Sequence, residues 1–491
     1  MKTLGYILEG LPCDVTGPRD VPIEDIVFDS RKVKPGALFV AIKGVHQDGH
    51  AHVKAAIQSG ARAVMVQEDV RMDSVTIIRV PDTLKALSPI AVRFWGNPSQ
   101  SLRMIGITGT NGKTTTSYLI EAIFAAAGWA TGVMGTINYR FGSSMTPAPN
   151  TTPFASELQR FLGQVVEQGG KACVMEVSSH ALELGRVEGV DFDTAVFTNL
   201  TQDHLDFHKT MDAYAAAKAK LFTSLNPQSA KSFPKQAVIN ADDPWAEKMV
   251  AAARVPIWRY RLHGPADLFA KNLICDATGS RFELHSPRGT QPVKSPLLGD
   301  YNVMNALAAA GAALSQNVSL EHVVRGLETI SGVPGRMERL ASPKGFTVVV
   351  DYAHTEDALR QVMTALRKLK PRRLVTVFGC GGDRDRTKRP LMGEAAAQLS
   401  DDVIVTSDNP RSEDPSRIAL DVEVGVRRVR SEGYEIILDR QEAIRKAFSL
   451  AQSGDIVLIA GKGHENYQIL SDKTISFDDR EVAQRLLAQM S

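Results

Sequence analysis

A glycine-rich segment at residues 105–116 has the residue types of a loop that binds nucleotide phosphates; it reads Ile-Gly-Ile-Thr-Gly-Thr-Asn-Gly-Lys-Thr-Thr-Thr. Glycines let backbone N–H groups come close to phosphate oxygens, and the N-terminus of a following helix adds positive potential. In such a loop Lys113 reaches the terminal phosphates, and the hydroxyl of Thr114 ligates Mg²⁺. The usual pattern G-x-x-x-x-G-K-[ST] requires glycine where this chain has Ile107, so the loop is a variant of that motif.

The residues on both sides of this segment predict the elements that a phosphate loop needs. Residues 104–107 are apolar and predict a buried strand before the loop. After the loop, apolar residues recur at helical spacing up to Gly128 and predict a helix; they are Leu119, Ile120, Ile123, Phe124 and Ala127. A glycine-rich turn without a ligand is the alternative, but the strand and the helix together favour the phosphate loop.

Acidic and imidazole groups follow two other apolar runs. Glu176 comes directly after the run at 173–175, where a carboxylate could bind Mg²⁺ directly or through water; a solvated glutamate at a strand end is the alternative. A second cluster, at 199–208, contains Asp203, His204, Asp206 and His208. The phosphate loop makes magnesium the expected ion there, zinc is the alternative ion, and a capped loop before a helix would need no ion.

Lys218 has an unusual position on the next predicted helix. Helical spacing places it on one face with Tyr214, Leu221 and Phe222, whereas Lys220 lies on another face and can be an ordinary solvated charge. A lysine on an apolar face loses its hydration at a high cost unless it is paired or chemically altered. Three possibilities stay open: a paired lysine, a neutral nucleophilic amine, or an amine carbamylated by carbon dioxide that ligates a metal as a carboxylate does.

Three polar clusters in the C-terminal part could bind a zwitterion. Residues 382–386 contain Arg384, residues 408–411 read Asp-Asn-Pro-Arg, and residues 461–465 read Gly-Lys-Gly-His-Glu. Guanidinium groups bind carboxylates through paired hydrogen bonds, and a glutamate binds an ammonium group. Each cluster alone is more typical of surface charge, but their shared position after apolar runs favours a binding site.

The apolar runs also predict the fold class. Short runs that alternate with helical stretches indicate an α/β fold with parallel strands covered on both faces. Turn residues at 97–99 and 332–335 suggest boundaries, and 491 residues suffice for about three domains. Ligands of such sheets bind outside the carboxyl ends of the strands, where the polar clusters are predicted to lie.

The composition excludes several classes of protein. The 57 Lys and Arg residues and 55 Asp and Glu residues give a net charge of +2, which is too balanced for a nucleic-acid-binding protein. The four cysteines contain no C-x-x-C pair, which argues against a disulfide framework or zinc knuckle and favours a reducing compartment. No signal peptide or membrane-spanning run is predicted, so we expect a cytoplasmic enzyme without membrane insertion.

The order of these motifs along the chain resembles that of the Mur ligase family, nearly from end to end. In the first half the resemblance is carried by Asp29-Ser30-Arg31, the phosphate loop, Asn150-Thr151-Thr152-Pro153, Glu176 with residues 177–180, Asp203-His204-Leu205-Asp206, and Ala217-Lys218. In the second half it is carried by Asn302 and Asn305, Pro-Gly-Arg-Met-Glu at 334–338, Asp-Tyr-Ala-His-Thr at 351–355, Asp-Asn-Pro-Arg and Gly-Lys-Gly-His-Glu.

The resemblance implies an α/β, three-domain Mur ligase with a central P-loop ATPase domain and a Rossmann-like C-terminal domain. The implied domains are an N-terminal UDP-sugar-binding domain at 1–98, an ATP-binding domain at 99–333 and an amino-acid-binding domain at 334–491. The implied reaction is the addition of meso-diaminopimelate to UDP-N-acetylmuramoyl-L-alanyl-D-glutamate through an acyl phosphate. Mg²⁺ would be the cofactor and ATP the co-substrate of a monomer that binds small molecules and no nucleic acid.

The resemblance also implies roles for individual residues. ATP would be bound by Gly109, Thr110, Asn111, Gly112, Lys113, Thr114, Thr115, Asn240, Asn302, Arg336, Asp351 and His354. The UDP-muramoyl dipeptide would be bound by Ser30, Asn150, Thr151, Thr152, Ser178 and Arg186, and diaminopimelate by Arg384, Asp408, Asn409, Pro410, Arg411, Gly461 and Glu465. The metal ligands would be Thr114, Glu176, His204 and a carbamylated Lys218, and the catalytic residues Lys113, Lys218, His204 and Glu176.

Two other functions stay open at this stage. One is a lysine-adding or other Mur-type amide ligase, such as folylpolyglutamate synthetase; the Asp-Ser-Arg and Asp-Asn-Pro-Arg segments weigh against it. The other is a nucleotide-dependent switch that only hydrolyses ATP. Such a switch would not need the dense polar clusters of the C-terminal part.

Overall fold

The computed structural model describes residues 2–44, 47–70, 72 and 74–490. In these ranges three α/β units follow one another, each with parallel strands at the centre of its main sheet. The predicted α/β fold class is therefore confirmed. None of the described helices is long and apolar enough to cross a membrane.

The first unit contains a small sheet with the order β2-β7-β6-β5-β4, which is parallel except for the pair β2–β7. Its elements are β1 (Lys2–Thr3), α1 (Leu4–Ile7), β2 (Asp14–Thr16), β3 (Pro22–Ile23), β4 (Asp25–Val27), β5 (Ala37–Val40), α2 (Val53–Gln58), β6 (Ala63–Val66), β7 (Thr76–Arg79) and α3 (Thr83–Trp95). Short 3₁₀ turns occur at Ser30–Lys32, Gly49–His52 and Pro98–Ser101. Helix α3 is followed by the capping residue Gly96, whose φ of 78° is easily adopted by glycine.

The second unit contains the longest sheet, with the order β11-β10-β9-β12-β8-β13-β14-β15-β16-β17-β18. Its strands are β8 (Arg103–Thr108), β9 (Thr131–Met134), β10 (Asn138–Phe141), β11 (Ser144–Pro147), β12 (Ala172–Glu176), β13 (Thr194–Phe197), β14 (Gln236–Asn240), β15 (Ile257–Arg261), β16 (Leu268–Asp276), β17 (Gly279–Ser286) and β18 (Gly289–Ser295). Its helices are α4 (Lys113–Ala126), α5 (Ala155–Glu167), α6 (Ser179–Glu183), α7 (Leu205–His208), α8 (Met211–Thr223), α9 (Ala246–Ala252), α10 (Asp300–Ser315) and α11 (Leu320–Thr329).

The third unit contains a sheet with the order β19-β20-β24-β21-β22-β23, in which only the pair β19–β20 is antiparallel. Its strands are β19 (Glu338–Ala341), β20 (Thr347–Asp351), β21 (Leu374–Phe378), β22 (Asp402–Val405), β23 (Tyr434–Ile436), β24 (Ile456–Ala460), β25 (Tyr467–Ile469) and β26 (Thr474–Ser476). Its helices are α12 (Glu356–Lys368), α13 (Lys388–Leu399), α14 (Pro415–Arg427), α15 (Arg440–Leu450) and α16 (Asp479–Ala488).

The strand and the helix predicted around the phosphate loop are both present. Strand β8 is buried and lies between the parallel strands β12 and β13, and helix α4 begins at Lys113. Gly109 and Gly112 have φ values of 153° and 86°, which other residues rarely adopt. A side chain at Gly109 would also crowd the backbone of Asn199, because its Cβ would lie 3.1 Å from that nitrogen.

The antiparallel parts of the second sheet were not predicted from the sequence. Strands β16, β17 and β18 form an antiparallel meander, and β9, β10 and β11 form another. In β16 the buried Leu268 and Ala270 alternate with the half-buried Phe269 and the exposed Lys271, and a register shift follows between Lys271 and Ile274. The apolar residues of this strand are therefore interrupted after Ala270. A search for continuous runs finds strands buried on both faces and misses half-buried strands of this kind.

Helix α11 packs against helix α4. Gly326 of α11 lies directly against the backbone of α4, and a Cβ at this position would come within 2.6 Å of the backbone nitrogen of Ile123. Ile123 and Leu327 belong to the same buried cluster. The helix that begins at the phosphate loop therefore depends on a small residue in its neighbour.

We expect Gly326→Ala to lower the free energy of unfolding by about 2 kcal/mol, because the added methyl group must separate two close-packed helices. Urea-induced unfolding would measure this change. Arg325→Ala, on the exposed side of the same helix, is the matched control and should alter stability by less than about 0.5 kcal/mol. Identical unfolding curves for Gly326→Ala and the wild type would contradict the close helix contact.

Candidate active site

A cavity of about 540 Å³ lies at the carboxyl ends of the parallel strands of the second sheet. Nearly all the residues predicted to bind ATP line it, namely Thr110, Asn111, Gly112, Lys113, Thr114, Thr115, Asn240, Asn302, Arg336, Asp351 and His354. Gly109 is not among the lining residues, and its carbonyl oxygen accepts hydrogen bonds from Lys113 and Lys218. The structure thus brings together residues that are separated by more than 200 positions in the chain.

Lys113 folds back over the phosphate loop. Its Nζ donates hydrogen bonds to the carbonyl oxygens of Gly109 at 2.9 Å and Thr110 at 2.8 Å. Burial lowers the pKa of this amine; the charge of Glu176 opposes this shift, and the charge of Arg336 adds to it. An anion such as a phosphate would stabilise the charged form of Lys113 beside Arg336, because it would add negative charge next to both cations.

Thr114 and Glu176 form the oxygen-rich part of the cavity. The Thr114 hydroxyl donates to Glu176 Oε2 at 3.0 Å, and Glu176 also accepts from the backbone N–H and the hydroxyl of Thr136, each at 2.9 Å. Glu176 is buried, so it is not the solvated strand-end glutamate of the alternative interpretation. Hydroxyl and carboxylate oxygens at this spacing are the ligand types that Mg²⁺ prefers.

Thr136 is a residue of this site that the sequence did not reveal. The signal nearest to it is Gly135, where a Cβ would lie 3.0 Å from Cδ and 3.2 Å from Cγ of Glu176. Only glycine therefore lets the backbone come close enough for the N–H of Thr136 to reach the carboxylate.

Lys218 is fully buried beneath the phosphate loop, as the helical spacing predicted. Its Nζ donates to Gly109 O at 2.7 Å, the same oxygen that accepts from Lys113, and it lies 4.5 Å from the centre of the Tyr214 ring. Burial and the charge of Lys113 hold the pKa of Lys218 well below its usual value. Among the described residues it has no carboxylate in an ion pair, so the paired lysine is not the arrangement observed. Lys220, by contrast, is half-exposed and pairs with Glu183.

His204 lines the same cavity, and its φ of 55° places it in the left-handed region. Burial lowers its pKa to about 4, which leaves the imidazole neutral and able to bind a metal. The other groups of the 199–208 cluster do not form a zinc site with His204. His208 bonds to Ser179 Oγ at 2.9 Å. In the described ranges no three acidic, histidine or cysteine side chains come close enough there to share one metal ion. The segment also leads into a helix, since α7 begins at Leu205, but the residue before it, His204, makes no side-chain capping hydrogen bond.

A second cavity, of about 700 Å³, adjoins the first one. Both cavities are lined by Thr136, Thr151, Asp203, His204, Tyr352 and His354. The residues predicted to bind the amino acid line the second cavity; they are Arg384, Asp408, Asn409, Arg411, Gly461 and Glu465, whereas Pro410 is not among its lining residues. A group bound in the second cavity can therefore approach a phosphate bound in the first.

Glu465 is held by a side chain that the sequence did not single out. Lys462 is fully buried and donates to Glu465 Oε2 at 3.0 Å, and Asn409 Nδ2 donates to the same oxygen at 2.8 Å. The amide oxygen of Asn409 in turn accepts from the N–H of Ile469 at 2.9 Å. These contacts occupy Oε2 and orient the carboxylate of Glu465.

The residues predicted to bind the dipeptide are only partly brought together. Asn150 lines the second cavity, Thr151 lines both cavities and Ser178 lines the first. Thr152 is buried, and its hydroxyl bonds to the backbone of Ser178 and to the carbonyl oxygen of Glu176. Arg186 donates to Thr152 O at 3.1 Å and stacks over the Phe154 ring. Ser30 lies in a 3₁₀ turn capped by Asp29, and it is not among the lining residues of either cavity.

Two contacts join the third unit to the phosphate loop. Arg336 donates to the Thr114 hydroxyl at 3.2 Å while its guanidinium lies 4.6 Å from the centre of the Tyr352 ring. Asn111 Nδ2 donates to Asp357 at 3.0 Å.

Asp351 uses its two oxygens to accept from the backbone N–H groups of Met337 and Ala353, each at 2.8 Å, and burial raises its pKa. Asp351 therefore fixes the backbone that carries Arg336.

Comparisons with known proteins agree with this geometry. Three family models match the chain: the Mur ligase family catalytic domain at residues 22–95, the Mur ligase middle domain at 107–313, and the Mur ligase glutamate ligase domain at 335–463. A UDP-N-acetylmuramoyl-L-alanyl-D-glutamate–2,6-diaminopimelate ligase from Syntrophomonas wolfei is 47% identical, with 96% of each chain covered. The enzyme of the same name from Geobacter sulfurreducens is 45% identical, again with 96% of each chain covered.

A solved structure of a protein with this name is 38% identical, with 99% of each chain covered and a TM-score of 0.68. The MurF ligase of Thermotoga maritima, at 20% identity and a TM-score of 0.69, shares the fold. The family expected from the sequence motifs is thus confirmed, and the chain belongs to the Mur ligase family.

Proposed function

We propose that this chain is an ATP-dependent ligase that adds meso-diaminopimelate to UDP-N-acetylmuramoyl-L-alanyl-D-glutamate in peptidoglycan precursor synthesis. The observation that carries the proposal is the pair of adjoining cavities, one built on the phosphate loop and the other containing two arginines and a glutamate. The two relatives of this name, which match nearly end to end, support it.

The assignment of the three units follows from this proposal. Residues 1–98 would bind the UDP-sugar, residues 99–333 would bind ATP, and residues 334–491 would bind the amino acid. Ser30 would contact the UDP part of the substrate, which is consistent with its position outside the linings of the two cavities. We propose that the protein acts as a monomer in the cytoplasm, where its nucleotide substrates occur.

The proposed reaction has two steps. A carboxylate oxygen of the D-glutamyl residue attacks the γ-phosphorus of ATP, the bond to the β-phosphate oxygen breaks, and ADP leaves. The amine of diaminopimelate then attacks the carbonyl carbon of the acyl phosphate, loses a proton, and inorganic phosphate leaves. Lys113 neutralises charge on the transferred group, and the adjoining cavities hold the reactants close together.

The oxygens of Thr114 and Glu176, with the neutral imidazole of His204, suit Mg²⁺, and a carbamylated Lys218 would add a carboxylate-like ligand. When bound, Mg²⁺ would offset the negative charge of the phosphates. Lys218 itself is suited to carbamylation because only a neutral amine attacks carbon dioxide. Burial beside Lys113 favours that neutral form.

The choice of amino acid follows from charge. Diaminopimelate ends in both an amine and a carboxylate, whereas lysine ends in an amine alone. Arg384 and Arg411 would bind the distal carboxylate, and Glu465 would bind an ammonium group. With lysine, the half-buried Arg411 would keep no anionic partner, which is unfavourable.

The proposal is tested by measuring phosphate release from purified protein with ATP, Mg²⁺ and the UDP-muramoyl dipeptide, with diaminopimelate and lysine offered separately. We expect rapid release only with diaminopimelate. Preferred use of lysine would identify a lysine-adding ligase. Equal ATP turnover without either amino acid or the dipeptide would identify a nucleotide-dependent switch.

Arg411→Ala should raise the KM for diaminopimelate by about 100-fold or more, because the distal carboxylate loses a charge-assisted, partly desolvated partner. Its ATP affinity should stay within about twofold, because Arg411 does not line the first cavity. Steady-state kinetics and nucleotide-binding titration measure the two effects. The control is Arg417→Ala, because Arg417 is an exposed arginine in the first turn of the following helix, α14. Equal losses of both affinities would contradict the assignment.

Removal of carbon dioxide and bicarbonate from the buffer should reduce activity, and added bicarbonate should restore it, because the carbamate of Lys218 forms reversibly. Lys218→Arg keeps the positive charge but cannot be carbamylated, so we expect at least about a 100-fold lower kcat and no response to bicarbonate. Lys220→Arg, on the exposed face of the same helix, should behave as the wild type. Unchanged activity of Lys218→Arg would exclude the modification.

A further inference from the structure

The second cavity contains two arginines that repel each other, so their own interaction does not keep them close together. Arg384 lies in the loop after β21, and Arg411 lies in the loop after β22. Burial and then the positive charge of Arg384 lower the pKa of Arg411, which is the effect of two like charges facing one cavity. Their repulsion favours separation of the loops, so other groups must hold the loops together.

The backbone of both loops is also strained. Asp383 and Arg411 have φ values of 53° and 52°, in the left-handed region that residues other than glycine seldom adopt. Such conformations persist where neighbouring contacts fix them. Some of these contacts join the loops directly: Asp383 accepts from the Ser412 hydroxyl at 2.7 Å and from its N–H at 3.1 Å, and Arg411 donates to Gly382 O at 2.8 Å.

Arg389 lies beneath the two loops and joins them by charge. Its side chain is completely buried, and its guanidinium donates to the two oxygens of Glu413 at 2.8 and 3.0 Å and to Gly381 O at 3.3 Å. Glu413 follows Arg411 in the second loop, and its Oε1 accepts from the N–H of Asp383 in the first loop at 2.6 Å. A second carboxylate, Asp421 of α14, accepts from Arg389 at 2.9 Å.

We propose that Arg389, through Glu413, is a positioning residue that sets the distance between Arg384 and Arg411 and thereby the selectivity for an amino acid with a second carboxylate. This inference rests on the proposed function. Arg389 is not among the residues that line either cavity, so it acts through the loops and does not contact the substrate. The planar guanidinium binds two oxygens of one carboxylate at once, whereas a lysine offers a single charged point.

Arg389→Lys and Glu413→Gln test the proposal in the full-length enzyme. We expect each variant to raise the KM for diaminopimelate at least about tenfold, and to reduce the preference for diaminopimelate over lysine by a similar factor, because small displacements of binding groups have large effects. The KM values for ATP and for the dipeptide should stay within about twofold. Arg386→Ala is the control, because Arg386 pairs with the same Asp421 at 3.0 Å but is 64% exposed in its side chain.

A role in stability alone would lower the unfolding temperature and the amount of active enzyme, and would leave the KM for diaminopimelate and the amino-acid preference unchanged. That result in either folded variant would overturn the proposal. Glu413→Gln removes one charge but keeps the acceptor for Asp383, so it decides the question if Arg389→Lys does not fold. Failure of the proposed function gives a different result, because the wild type itself would then not consume diaminopimelate.

Discussion

This site depends on one constraint: neighbouring parallel strands end at the same edge of a sheet. Strands β12, β8 and β13 are neighbours, so Glu176, the phosphate loop and Thr198 meet at their carboxyl ends. The hydrogen bond from Thr114 to Glu176 is a direct result of this order. The segment that leads into β19 contributes Arg336 to the same point, and two cavities with shared walls result.

Electrostatics then give this location its chemistry. Lys113 and Lys218 both donate to the carbonyl oxygen of Gly109. Burial lowers the pKa of each amine, and the charge of Lys113 lowers the pKa of Lys218 further. Such an arrangement is unfavourable for the protein alone, because a buried cation needs a compensating charge. A polyphosphate supplies that charge, so an arrangement that weakens the fold favours the binding of an anionic ligand.

The sequence predicted the central elements well because their signals are local. An apolar run before a glycine-rich turn predicts β8 and α4, and helical spacing places Lys218 on a buried face. The antiparallel meander of β16–β18 was missed because its strands are buried on one side only. Thr136 and Lys462 were missed because no local pattern shows that a hydroxyl or an amine will lie beside Glu176 or Glu465.

By itself, the sequence determined the fold class, the family, and the types of group available for binding phosphates and an amino acid, since these depend on residue order and spacing. Only the tertiary structure decided which groups share a cavity, because the packing of the sheets sets the distances between their loops. It places Ser30 outside the linings of both cavities and gives Lys218 a carbonyl oxygen as its partner, with no ion pair among the described residues. It also places Arg389 beneath the loops of Arg384 and Arg411, a relation that exists only after folding.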